Sequence, residues 1–223
     1  MNPLAHYHFL IERLLGPDGD VDAAVAAFIA PLPPGDPDEI ETHLEVAWDL
    51  LVIAAADTPV ASQTLLVDLV AGVQRHELPG VRVWAQRVLT DLPLLGDRLS
   101  RAWDEPHDPD DWVRLNAFAA RLTASVADFL PLGLRTIVTA LEERGPLPPA
   151  IEWFRHAGTQ LVDACVHGRT YAGRLGDPAA RAEGGFSVTR WIAWRNALAD
   201  RGSPDGVKLM SRFDARIAAH FRG

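Results

Sequence analysis

A helix-capping side chain stands directly before a proline at Asp36-Pro37, Thr58-Pro59 and Asp108-Pro109. The Asp or Thr oxygen accepts from an N–H that a starting helix leaves unpaired, and proline gives up a donor that would have no partner there. Glu39 adds the reciprocal position of a capping box behind Asp36. Behind Pro37 the residues Ile40, Leu44, Trp48, Leu51 and Ala55 recur at helical spacing, and behind Pro109 so do Trp112, Leu115, Ala119, Leu122 and Val126. Thr58-Pro59 opens a third helix, expected to run to about Glu77.

Between these anchors the pattern predicts shorter helices at about 3–15, 21–30, 92–103 and 133–144, the last stopped by Gly145-Pro146. From Pro148 one face collects Ile151, Phe154, Gly158, Leu161 and Cys165. Ser187 caps a helix with Trp191, Trp194 and Leu198, and Pro204 opens a final one with Val207, Met210, Ile217 and Phe221. The Gly-rich stretch Gly168–Gly185 is expected to be the longest loop. Only Val81–Trp84 alternates like a strand, too briefly to found a sheet. The expected fold is all-α: an irregular bundle of about nine or ten helices forming one domain over residues 1–223.

A chain of 223 residues with 48% hydrophobic and 23% charged residues buries a core without staples of disulfide or metal. Cys165 is the only cysteine; with no secretory pattern and apolar runs, such as Leu50–Ala56, far too short to span a bilayer, the expected compartment is the cytoplasm. The net charge of −9 opposes binding to nucleic acid or anionic membrane. Residues 1–60 hold eleven Asp and Glu against Arg13 alone, a net of −10, while residues 187–223 carry a net of +4. Asp38, Glu41, Glu45 and Asp49 form an acidic stripe on the Pro37 helix; Lys208, Arg212 and Arg216 form a basic one on the final helix. These stripes are expected to face each other, within one chain or across a homodimer.

Catalytic and metal signatures are missing from the sequence. Asp104–Asp111 lacks the glycine and closing Glu of a calcium loop and reads as an acidic first turn. Glu152, His156 and Asp163 share a helix side but lack a closing ligand. Cys165 falls on an apolar face, where a thiol is inert. No GxSxG, GxGxxG or Walker-type loop occurs, so no cofactor is implied. The seven tryptophans are the unusual content. Trp48, Trp153, Trp191 and Trp194, with Asn116 and Arg121 from an otherwise apolar block, are the candidate ligand-binding residues, since aromatic walls with few polar groups build small-molecule pockets. Glu142 is the expected partner of Arg121.

The ordered series Ala47-Trp48, Thr58-Pro59, Gln63-x-x-Leu66-Val67-Asp68-Leu69, Trp84, Leu92-Pro93, Trp103 and Trp112 continues through the Asn116–Leu122 block and Leu141-Glu142. It closes on Trp153-x4-Gly158 and Trp191-x-x-Trp194-Arg195. Over about residues 40–200 this resembles fungal proteins classed as domain of unknown function 3632. The resemblance implies an all-helical intracellular fold and no particular reaction; at Ile151-Glu152-Trp153 the chain departs from the family's usual Ala-Trp-Ile, so Glu152 gains no support from it. Two functional readings follow. One is a Trp-lined pocket for a small, largely apolar molecule; the other is an interaction module, or homodimer, using charge-segregated helical faces.

Overall fold

The structure, a computed structural model, describes residues 2–33, 35–171 and 185–221. Among them are twelve α-helices, and the only sheet is a two-stranded hairpin. The chain divides into two compact units, Met1–Phe118 and Ala119–Gly223.

The first unit contains α1 (Pro3–Leu15), α2 (Val21–Ile29), α3 (Pro37–Asp57), α4 (Thr64–Gln74), the strands β1 (Arg82–Val83) and β2 (Gln86–Arg87), and α5 (Leu95–Asp104). It ends within α6 (Pro109–Ser125). Asn2, Asp20 and Asp36 cap the first three helices, Asp36 accepting from the N–H groups of Asp38 and Glu39 at 3.2 and 3.1 Å. α3 is the unit's axis: α1, α5 and β1 all pack against it, while α2 lies on α4. Its buried stripe is Ile40, His43, Leu44, Ala47, Trp48, Leu51, Val52 and Ala55.

Within the second unit α7 (Leu130–Leu141) packs on α8 (Leu147–His156), and α9 (Gly158–Val166) on α10 (Val188–Asp200). α11 (Pro204–Ser211) lies against α8 and α10, and α12 (Asp214–His220) against α9. Ser187 caps α10 by accepting from Arg190 N–H at 3.1 Å.

The helix count exceeds nine or ten because two expected helices are each broken. At Ala157 the backbone leaves the helical region (φ −115°, ψ 19°), separating α8 from α9. A second break at Arg212–Phe213 separates α11 from α12. The two breaks meet in space. A Cβ on Gly158 would lie 2.6 Å from Phe213 Cε2, so the glycine admits that ring at the turn. Thr58-Pro59 also departs from expectation: Thr58 ends α3, and only a 3-10 turn, Val60–Ser62, follows before α4 begins at Thr64. The expected loop Gly168–Gly185 lies for the most part outside the described residues.

Candidate functional site

The tryptophans singled out from sequence are core residues. Trp48 is fully buried in the first unit, 5.0 Å from Phe28 by ring centroids, and its Nε1–H donates to the carbonyl of Pro93 at 3.0 Å. That carbonyl sits between Leu92 and Leu94, whose φ angles of 50° and 71° are left-handed. The indole thus ties down a turn that non-glycine residues adopt at a cost. Asn116 is fully buried on α6, where every side chain from Leu115 to Ala120 is buried, and it donates back to the carbonyl of Trp112 at 2.8 Å. Arg121 is half-buried on the same helix.

In the second unit Trp191 and Trp194 come together around Phe154, and Trp153 is buried against Gly133. Trp191 and Trp194 lie 5.9 and 6.5 Å from the Phe154 ring, and Trp191 also stands edge-on to Phe213. Gly133 gives Trp153 its room, because a Cβ there would come within 2.6 Å of the indole. Trp194 Nε1–H donates to Glu142 at 2.7 Å, and Arg190 forks onto the same carboxylate at 2.6 and 2.8 Å while lying over the Trp194 ring. Glu142, expected opposite Arg121, therefore takes Arg190 and Trp194. Burial alone would raise the Glu142 carboxyl, but those hydrogen bonds and the Arg190 charge hold it below the ordinary 4.5. Glu152 behaves alike: burial is outweighed by the hydrogen bond from His156 and the charges of Arg155 and His156. Cys165 is buried, and desolvation pushes its thiol up to about 12.

These shifts set a pH dependence. His43, buried against Tyr7, titrates below its ordinary 6.5, chiefly because burial disfavours the imidazolium. A depressed histidine gives stability that is complete above the unfolded value and lost as pH falls through it, since the unfolded chain takes up the proton first. The depressed Glu142 and Glu152 keep their contribution down to the ordinary carboxylate range and lose it as pH falls through their lowered values. Chemical denaturation between pH 8 and 3 should therefore show stability falling in two stages, one beginning near 6.5 and one below 4.5. His43→Asn should remove the first stage and leave the second.

Two open spaces are formed by the described residues. In the first unit a groove of about 350 Å³ runs between α1 and the end of α3. Ile11 and Leu15 line it from α1, Leu50, Ile53 and Ala54 from α3, and Pro59 closes one end. Its edges carry His8 and Glu12, 3.4 Å apart, and Asp57. Ile53 is 57% exposed, an unusual position for a large aliphatic side chain. A second cleft, about 400 Å³, lies in the other unit among Thr123, Asp128, Gln160, Asp163 and Arg169. Its charges are already matched: Asp128 takes Arg169 and Tyr171, and Asp163 takes Arg216. None of the six sequence-predicted site residues lines either space.

The groove was not read from sequence, although it left a signal. Besides its buried stripe, α3 carries a second apolar series, Val46, Leu50 and Ile53, at i, i+4 and i+7. The acidic stripe of α3 finds its partners in its own unit: Arg98 of α5 meets Glu45 and Asp49, and Trp84 donates to Glu41. The basic stripe does not lie on one helix, for the break at Arg212 puts Lys208 on α11 and Arg216 on α12. Among the described residues no three His, Cys, Asp or Glu side chains are grouped to hold a metal, and no helix is long and apolar enough to cross a membrane.

A model of the family described as protein of unknown function DUF3632 matches residues 48–198. No curated protein and no solved structure matches the chain.

Proposed function

The chain belongs to the DUF3632 family, and from the geometry of its first unit we propose that it is an interaction module whose α1/α3 groove receives an apolar, basic segment of another protein molecule. The observation that carries this reading is the groove itself: an aliphatic floor left open to water, edged by Glu12 and Asp57. Exposed apolar surface rimmed by polar groups is where partners dock. The surrounding sequence, with eleven acidic residues among the first sixty and one Arg, favours a cationic occupant by its field.

A pocket for a small apolar molecule draws less support. Such ligands bury most of their surface, whereas this space is open along one side, and the four tryptophans that would wall a closed pocket fill the core. The test uses a fluorescently labelled helical peptide with one leucine face and one lysine face, titrated by polarisation. Saturable binding is expected, weakened by salt and weakened about tenfold or more by Ile53→Gln, which removes an apolar contact from an exposed position. Binding unchanged in Ile53→Gln would overturn the reading.

A further inference from the structure

The edge of the groove contains a side chain whose charge changes near neutral pH. Among the described residues lining it, three titrate: His8 and Glu12 on α1, and Asp57 at the end of α3; Pro59 and Ser62 of the following turn bring no charge. His8 and Glu12 are one helical turn apart and so stand on the same side of α1, with His8 Nδ1 3.4 Å from Glu12 Oε2. Both side chains are more than half exposed, which leaves them able to turn toward an occupant or toward each other. The other histidines of α1 and α3 are engaged away from the groove. His6 bonds the Ala27 carbonyl of α2 at 2.8 Å, and His43 is buried against Tyr7.

We propose that His8 is a proton-operated release for the α1/α3 groove: a basic segment is held while the imidazole is neutral and let go when it is protonated. The inference rests on the groove being a docking site, and it adds how occupancy is controlled. With His8 neutral the edge carries two negative charges, Glu12 and Asp57; with His8 protonated the net falls to one. The imidazolium acts twice. It repels a cationic occupant directly, and it takes Glu12 as an ion-pair partner, which withdraws that carboxylate from the occupant. Histidine is the side chain whose ordinary titration falls between about pH 5 and 8, whereas carboxylic acids and amines titrate outside that range. Affinity for a basic segment therefore falls with pH, and an acidic segment would show the reverse.

Polarisation titrations with the leucine–lysine peptide at about pH 8 and about pH 5.5 test it, because the amines of the peptide stay charged at both. The dissociation constant should rise about three- to fivefold at the lower pH, the size of one exposed charge pair. His8→Asn should bring that ratio to about one, and His8→Lys should bind more weakly than His8→Asn at both pH values. His43 is common to the wild type and both variants, so its own titration drops out of the comparison. A ratio as large in His8→Asn as in the wild type would overturn the release. Binding that depends on Ile53 yet is the same at both pH values would overturn it as well and leave the groove reading standing. A peptide that binds at neither pH would remove the groove reading and the release together.

Discussion

Replacing Trp194 by alanine should lower the unfolding free energy by about 4 kcal/mol, within the range for emptying a buried aromatic site. The ring is 1% exposed, packed on Phe154 and Phe186, and covered by Arg190. Its loss leaves a cavity beside Phe154 of α8 and Phe186, and it strips Glu142 of one donor. Trp194→Phe keeps most of the apolar contact and loses the Nε1–H alone, so it should cost about 1–2 kcal/mol. Urea unfolding at neutral pH measures both. A loss under about 1 kcal/mol for the alanine variant would mean that the ring lines open space, as a ligand pocket requires.

Gln63→Ala should cost about 2–4 kcal/mol although it removes no charge and little apolar surface. The side chain is fully buried, and its Nε2 donates to the carbonyls of Ala55 at 2.9 Å and Arg114 at 2.7 Å, with Thr58 at 3.5 Å. It thereby closes the end of α3, the turn into α4 and the middle of α6 with one carboxamide. Alanine leaves those acceptors buried and unmatched. Gln63→Glu should be worse than alanine, because a carboxylate would face three carbonyl oxygens in a site that desolvates charge. Thermal unfolding of the two variants side by side ranks them, and a glutamate variant as stable as wild type would contradict the assigned hydrogen bonds.

These two residues explain why scattered family motifs go together. Gln63 was legible only as one position in a short motif, and Leu141-Glu142 and Trp191-x-x-Trp194 as two others fifty residues apart. In the fold they are polar joints: Gln63 ties Thr58 to Arg114, and Glu142 receives Trp194. Chemistry of this kind depends on which helices are neighbours, and periodicity carries no such information. The helices themselves were readable, since Asp36 and Ser187 cap where their side chains predict. The breaks at Ala157 and Phe213 were not, because the apolar spacing runs on past both, and only the packing of Phe213 over Gly158 reveals the turn.

The candidate site was the least legible part. Tryptophan content drew attention to residues whose size places them in the core. Ile53 and Leu50 looked like ordinary helix positions, and only the arrival of α1 beside α3 leaves them walling a groove. Trp84 was quoted as the end of a short strand, with no sign that the next turn would hold it outward at a positive φ.

The central claim is that this protein meets its partners through the α1/α3 groove and keeps Trp153, Trp191 and Trp194 as structure. Indole and methyl NMR shifts during titration with the leucine–lysine peptide test that claim most directly. The account predicts perturbed methyl signals at Ile11, Leu15, Leu50 and Ile53, with the Nε1–H signals of Trp153, Trp191 and Trp194 unmoved. Shifts concentrated on those three indoles, with the groove methyls silent, would contradict it.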